Sequence, residues 1–133
     1  MKKTIFLVCA ILMMPVVANA CGGTIIKGQY CLSDEQMNWY SAYAWCQAQG
    51  MQLVDVEIVC GSLSDCPALK ISEDEINQLL PDDYTGIREV WGWTNTSVNS
   101  KQAYRIRLGW GSLFDNNGSY QLRTNTSNRA LCM

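Results

Sequence analysis

The sequence predicts an α+β domain in which two helices pack on a small antiparallel sheet that is stapled by disulfides. Two segments combine helical periodicity with helix-end signals. Several short segments, most of them later in the chain, alternate apolar and polar residues as strands do. An even set of six cysteines lies outside the N-terminal apolar segment, which is typical of an exported, disulfide-bonded domain.

Residues 1–20 are predicted to be a signal peptide. Two lysines open the segment, an apolar run follows, and Ala18-Asn19-Ala20 supplies small residues at the cleavage site. We expect a secreted or periplasmic protein that is cleaved after Ala20, with one domain at 21–133 and no membrane span in the mature chain. Lipidation of Cys21 is the alternative, and the thiol that it would leave unpaired argues against it.

Charge and composition restrict the classes of function. Loss of the two signal lysines takes the net charge from −2 to −4. An acidic domain lacks the basic surface that nucleic acids require, so no nucleic-acid partner is expected. The chain has no histidine, which removes the commonest general base and a frequent metal ligand. We therefore expect no enzyme activity, no metal and no cofactor. A pair of carboxylic acids acting alone is the catalytic arrangement that remains open.

The first predicted helix follows a short hairpin at residues 21–31. It runs from about Asp34 to Gln49, is capped by Ser33 or Asp34, and ends at Gly50. Its predicted apolar face consists of Met37, Trp39, Ala42, Tyr43, Trp45 and Cys46. A strand is expected next, and it leads into a loop that ends at Cys66.

The second predicted helix is Ile71–Leu80. Ser72 and Glu75 have the spacing of a capping box, in which each side chain accepts from the other's backbone N–H. Pro81 follows the last turn and ends the helix. The acidic first turn, Glu73 to Glu75, is explained by the helix macrodipole rather than by catalysis or metal binding.

Four strands are predicted after the second helix: Val90–Thr94, Ala103–Leu108, Ser119–Thr124 and Arg129–Met133. Trp91 and Trp93 share one face of the first strand, because side chains alternate along a strand. Arg105 and Arg107 are expected to point outward from the second. The side chains expected to point inward are Tyr104, Ile106, Leu108, Tyr120 and Leu122.

One motif covers the first helix and the strand after it: Trp39-x-x-Ala42-x-x-x-Cys46-x-x-x-Gly50-x-x-Leu53-x-x-Val56. It resembles the corresponding part of the C-type lectin-like domain. Val90-Trp-Gly-Trp-Thr94 resembles the central strand of that family, and Arg129-Ala-Leu-Cys-Met133 resembles its last strand. The resemblance implies a C-type lectin-like fold over the whole mature chain.

The resemblance also implies a disulfide framework. Six cysteines allow 15 connectivities, and sequence patterns alone do not choose among them. The family pattern implies the pairs Cys21–Cys31 and Cys46–Cys132, and Cys60–Cys66 is the pair that remains.

Calcium-dependent sugar binding does not follow from the resemblance. Sugar-binding members of the family hold calcium with Glu-Pro-Asn or Gln-Pro-Asp and a later Trp-Asn-Asp. Here no proline follows Trp93, and Phe114-Asp-Asn-Asn117 is the nearest stretch to the second motif. Calcium needs six to eight oxygen ligands, which that stretch alone does not supply. The chain therefore resembles compact lectin-like domains without the calcium loop, such as those at the tips of some bacterial adhesins.

Two functions remain open at this stage. The first is an adhesin-like or receptor-binding module that recognises a host or cell-surface glycan or protein without calcium. The second is a periplasmic or secreted inhibitor or accessory protein that binds a protein partner. The candidate contact residues are Arg105, Arg107, Trp110, Phe114, Asp115, Asn116 and Arg123. Loop aromatics such as Trp110 and Phe114 are typical anchors for sugars or proteins.

Overall fold

The computed structural model describes residues 21–61, 68–109 and 120–133, which form one mixed seven-stranded sheet and three short helices. The strands are β1 (Thr24–Ile26), β2 (Tyr30–Met37), β3 (Ala68–Lys70), β4 (Glu89–Ser97), β5 (Gln102–Gly109), β6 (Tyr120–Leu122) and β7 (Asn128–Cys132). The helices are α1 (Trp39–Ala48), α2 (Val56–Cys60) and α3 (Glu73–Leu79). The described part contains no helix that is long and apolar enough to cross a membrane.

The strand order is β1-β2-β7-β4-β5, and both β3 and β6 pair with the far edge of β5. β3 lies beside residues 107–109 of β5, whereas β6 lies beside residues 102–104. The pairs β4·β7 and β3·β5 are parallel, and the other pairs are antiparallel. Residues 123–127 therefore connect β6 to β7 across β5 and β4.

The expected fold class is wrong. An α+β domain with two helices on a small antiparallel sheet, in the C-type lectin-like manner, does not describe this mostly sheet fold with two parallel strand pairs. Alternation along one strand shows which face it buries and gives no information about the neighbour with which it pairs. The two parallel pairings join strands that are far apart in the sequence, so alternation does not predict them.

The start of α1 differs from the prediction because β2 continues to Met37. Pairing with β7 extends through Gln36↔Arg129 and Met37↔Asn128, after a bulge that follows Leu32. The observed N-cap is Asn38, whose Oδ1 accepts a hydrogen bond from the Ser41 N–H at 2.8 Å. Ladder hydrogen bonds to β7 thus outweigh the helical pattern of residues 34–37.

α2 replaces the predicted strand after Leu53. Asp55 caps it, accepting hydrogen bonds from the amides of Glu57 and Ile58 at 2.9 and 3.2 Å. Gly61 ends the helix with φ 82°, a left-handed conformation that glycine adopts without steric penalty. A five-residue helix with caps at both ends overrides the alternation in the sequence.

The sheet carries a hydrophobic cluster on each face. One face packs against α1 and includes Cys31, Trp93, Ala103, Ala130 and Cys132, all fully buried with Ala42 and Cys46 of the helix. We call it the α1 face. The other face includes Leu32, Val90, Ile106, Leu108 and Leu131, which pack with Ile76 and Leu79 of α3. The predicted burial of Ile106 and Leu108 is therefore confirmed.

Gly92 separates the two tryptophans of β4 and lies on the face opposite to theirs. A Cβ atom there would come within 2.8 Å of Cβ of Leu131, on the neighbouring strand β7. The close approach of β4 and β7 at this point requires a residue without a side chain.

Two disulfides lie on the α1 face, one local and one between residues far apart in the sequence. Cys21 pairs with Cys31, and Cys46 pairs with Cys132, as the resemblance implies. Cys31 and Cys132 are directly opposed on β2 and β7, so the bridges lie side by side. Both are compatible with an extracellular or periplasmic location. Cys60 is also disulfide-bonded, but its expected partner, Cys66, lies outside the described residues, as does the predicted signal peptide.

Three aromatic or aliphatic side chains are exposed against expectation. Tyr120 and Leu122 of β6 are 48% and 54% exposed, so the prediction that they point inward is wrong. Tyr43, expected on the apolar face of the first helix, is 41% exposed. β6 is a three-residue strand at the edge of the sheet, and so short an edge strand covers little of its own side chains.

The start of α3 confirms the capping box. The Ser72 Oγ accepts from the Glu75 N–H at 3.1 Å, and Oε1 of Glu75 accepts from the Ser72 N–H at 3.0 Å. The other carboxylate oxygen accepts a hydrogen bond from the backbone N–H of Lys27, which has φ 50° in the β1–β2 turn. One carboxylate therefore caps α3 and ties the hairpin to it.

Replacement of Glu75 by alanine should lower the free energy of unfolding by about 1–2 kcal/mol at neutral pH, because both roles of the carboxylate are lost. The amides of Lys27 and Ser72 hold the pKa of Glu75 below its ordinary value. The stabilisation is therefore present above the unfolded-state pKa and is lost as the pH falls through the lower folded-state pKa. Urea unfolding of both proteins between neutral and acidic pH measures the difference.

The matched control is Glu73→Ala in the same turn of α3. Its carboxylate lies near the same helix N-terminus, so only the smaller macrodipole contribution should be lost. Equal losses in the two variants, or a Glu75 effect that does not change with pH, would contradict the assignment.

Candidate functional site

Arg105 and Arg107 of β5 both lie close to the Trp91 ring on the α1 face. The Arg105 guanidinium carbon is 3.8 Å from the ring centroid, and that of Arg107 is 5.9 Å away. Cross-strand register explains the arrangement, since Trp91 is opposite Arg107 and Trp93 is opposite Arg105. Guanidinium groups stack favourably on indole rings. We call Glu89, Trp91, Arg105 and Arg107 the arginine–tryptophan cluster.

Glu89 supplies the negative charge of this cluster. Its Oε2 lies 3.2 Å from Nε of Arg107, and both side chains are mostly buried. The contact is an ion pair without hydrogen-bond geometry, and within the described ranges Nη2 of Arg107 has no hydrogen-bond acceptor. Two opposite charges thus lie close together in a mostly buried position, where their attraction is stronger than in water.

Arg105 is held by a polar chain on the same face. Its Nη1 donates to Oδ1 of Asn128 at 3.1 Å, and Nδ2 of that fully buried asparagine donates to Oε1 of Gln121 at 2.7 Å. Burial lowers the pKa of Arg105, and the charge of Glu89 partly offsets this effect. The network fixes the guanidinium against Trp91 and leaves its side chain little rotational freedom.

A cleft opens beside this cluster, where β4 begins. Its lining combines two aromatic rings with charged, amide and hydroxyl groups: Gln36, Leu80, Tyr84, Ile87, Glu89, Val90, Trp91, Ser127 and Arg129. Tyr84 is 39% exposed, so its ring is available to a ligand. This mixture of an aromatic surface and convergent polar groups is typical of small-ligand sites.

Arg129 provides the positive charge in the cleft. Its Nη2 donates to the Leu79 carbonyl at 3.0 Å, and Nε has no acceptor among the residues that the structure describes. Burial lowers the pKa of Arg129, and the carboxylate of Asp34 partly offsets this effect. A half-buried guanidinium favours a ligand with acceptor oxygens, because charged N–H groups form strong hydrogen bonds with them.

A second depression is less suited to a polar ligand. It is lined by Gly50, Met51, Gln52, Leu53, Asp55, Ile58, Asn95 and Met133. Its carboxylate, Asp55, already accepts two backbone hydrogen bonds as the N-cap of α2. The cleft beside Trp91 is therefore the stronger candidate site on chemical grounds.

Arg123 lies elsewhere, over the Trp39 ring at the start of α1. Its guanidinium carbon is 4.2 Å from the ring centroid, and Nη2 donates to Oγ of Ser97 at 2.6 Å. The Tyr43 ring stacks on the Trp39 ring, with 5.3 Å between the ring centroids and an interplanar angle of 28°. The Tyr40 ring meets the Trp39 ring edge-on, with 5.4 Å between the centroids. We call Trp39, Tyr40, Tyr43 and Arg123 the aromatic cluster.

The predicted contact residues therefore lie in different parts of the molecule. Arg105 and Arg107 lie together behind the cleft, as parts of its supporting cluster, and Arg123 belongs to the aromatic cluster. The other predicted contacts lie outside the described residues: Trp110, Phe114, Asp115 and Asn116. Sequence reasoning missed Tyr84 and Arg129 as site residues. They are far apart in the sequence, and they meet because β4 and β7 begin close together.

In the described ranges, no three His, Cys, Asp or Glu side chains are grouped so that they could hold a metal ion. No known family model matches the chain, and comparisons with curated proteins and with solved structures also gave no match. Membership of the C-type lectin-like family accordingly stays a prediction.

Proposed function

We propose that this protein is a secreted or periplasmic binding module whose cleft recognises a glycan without calcium. The observation that carries the proposal is the lining of the cleft, where Trp91 and Tyr84 lie among Gln36, Glu89 and Arg129. Sugar rings have apolar faces that pack on aromatic rings, and hydroxyl groups that bond to carboxylate, amide and guanidinium groups.

Calcium independence is consistent with the groups that the cleft offers. Glu89 is already paired with Arg107, and Arg129 brings a positive charge that disfavours a cation nearby. A calcium site would need six to eight oxygen ligands. We therefore expect the ligand to bind directly to the side chains.

The supporting cluster explains how the cleft would be preorganised. Arg105 stacks on Trp91 and is itself fixed by Asn128, so the indole is held in place before a ligand arrives. Less side-chain entropy is then lost on binding. In this proposal Arg105 and Arg107 act on the ligand through the position of Trp91.

A glycan-array screen of the oxidised protein, with and without EDTA, tests the proposal. We expect binding that EDTA leaves unchanged and that Tyr84→Ala weakens at least about tenfold, because the exposed ring contributes contact area that alanine lacks. Tyr120→Ala is the matched control, since Tyr120 is similarly exposed on β6. It should bind within about twofold of the wild type.

Three outcomes would overturn the proposal. Loss of binding in EDTA would make calcium part of the site. Equal weakening by Tyr84→Ala and Tyr120→Ala would place the ligand elsewhere. Absence of any glycan binding would favour the second function, a secreted or periplasmic protein that inhibits or assists a protein partner.

A further inference from the structure

The outer side of α1 has an unusual composition for the surface of an acidic protein. Its exposed residues are Tyr40, Ser41, Tyr43, Ala44, Gln47 and Ala48. We call them the outer face of α1. No charged residue occurs anywhere in the helix, from Trp39 to Ala48. Exposed helix faces usually carry charged side chains, so this composition indicates a contact surface rather than a solvated one.

The aromatic cluster anchors the N-terminal end of this face. Tyr40 and Tyr43 are 52% and 41% exposed, and both rest against the Trp39 ring, which Arg123 also contacts. Tryptophan, tyrosine and arginine are the residues most enriched at the energetic centres of protein interfaces. Their mutual packing restricts the rings before any partner binds, which lowers the entropy lost on association.

The helix ends provide a second indication. α1 has no acidic residue in its first turn and no basic residue in its last, so its macrodipole is not compensated by its own side chains. An antiparallel helix from another molecule would place a C-terminus beside this N-terminus and an N-terminus beside this C-terminus. The two uncompensated ends would then offset each other.

The positions along the face match a second copy of the same helix. A two-fold axis at Ala44 places Tyr40 of one copy against Ala48 of the other, and Ser41 against Gln47. A large aromatic residue thus meets a small one at each end. Two copies of a chain with a net charge of −2 repel each other, and a face without carboxylates lowers that repulsion.

We propose that the outer face of α1 is the contact surface of a homodimer, in which two copies of α1 pack antiparallel about a two-fold axis at Ala44. A ten-residue helix is only about 15 Å long, so the interface is small and the dimer weak. The proposal is independent of glycan binding, because it concerns the protein without a ligand.

Sedimentation equilibrium of the oxidised protein over a range of concentrations tests the proposal. The average mass should rise from that of a monomer at roughly 5 µM towards twice that value at roughly 500 µM, as expected for a small interface. Ala44→Arg should keep the protein monomeric over the whole range, because it places two like charges at the axis. Arginine is a good helix former, so the helix itself should persist.

Gln78→Arg is the matched control, because it adds the same charge at an exposed helical position of α3, on the other face of the sheet. It should dimerise like the wild type. A wild-type protein that stays monomeric throughout, or a dimer that Ala44→Arg leaves intact, would overturn the proposal. Loss of the dimer in both arginine variants would also overturn it, since net charge rather than this face would then control association.

Crosslinking provides a second readout of the geometry. Ala44→Cys should form an intermolecular disulfide on mild oxidation with a diamide reagent, because the same residue from both copies meets at the axis. Gln78→Cys, on the other face of the sheet, should form far less of this disulfide under the same conditions. Equal crosslinking at both positions would contradict a defined two-fold contact and indicate random encounters.

Discussion

Replacing both Cys46 and Cys132 with alanine is expected to lower the free energy of unfolding by about 4–5 kcal/mol. The bond joins residues 86 positions apart, and the chain-entropy model gives the larger stabilisation to the longer loop. Both cysteines are fully buried between α1 and the sheet, so the helix also loses its covalent attachment to β7. Urea unfolding followed by near-ultraviolet circular dichroism measures the loss.

The matched control is the second bridge on the same face. Cys21 and Cys31 are only 10 residues apart, and the same model gives about 3 kcal/mol for their bond. The double alanine variant of Cys21 and Cys31 should therefore be the more stable of the two. The opposite order would show that local strain or residual structure in the unfolded chain, rather than loop length, decides the contribution of each bond.

Features that depend on neighbouring residues were predictable from the sequence. The capping box of Ser72 and Glu75 is a short-range pattern, and the structure reproduces it with α3 in the expected place. The strands around Trp91 and Ile106 are also where alternation places them. In each case the spacing of side chains reports directly on which backbone conformation buries the apolar ones.

Features that depend on distant partners were not predictable. Asn38 rather than Ser33 caps α1 because β7 pairs with residues 36 and 37 and keeps them extended. The five-residue crossover from β6 to β7 leaves no periodic signal in the sequence. Without it β7 would not lie parallel to β4, and the sheet would not be mixed.

The candidate site was predictable only in part, for the same reason. Outward alternation identified Arg105 and Arg107, but their position over Trp91 depends on the register between β4 and β5. The sequence places Arg129 in the last strand, and its role in the cleft depends on the segment that carries Tyr84. A ligand site made from four separate segments leaves no local pattern to recognise.

The contrast between Trp93 and Trp91 gives the second large effect. The two residues share one face of β4, yet Trp93 is fully buried under α1 and donates from Nε1 to the Met37 carbonyl at 2.9 Å. Trp93→Ala should lower the free energy of unfolding by about 3–5 kcal/mol, the usual loss for a buried aromatic residue. Trp93→Phe keeps most of the packing and should lose about 1–2 kcal/mol with the hydrogen bond.

Trp91→Ala should affect ligand binding more than stability. Trp91 lies beyond the helix in the arginine–tryptophan cluster and is only partly buried. Its loss should reduce the unfolding free energy by less than half as much as Trp93→Ala and should abolish glycan binding by the folded protein. Urea unfolding and glycan binding of the two variants, measured side by side, separate the roles. Similar losses of unfolding free energy in the two variants would contradict the assignment of Trp93 to the core and of Trp91 to the site. Full glycan binding by Trp91→Ala would remove the indole from the site.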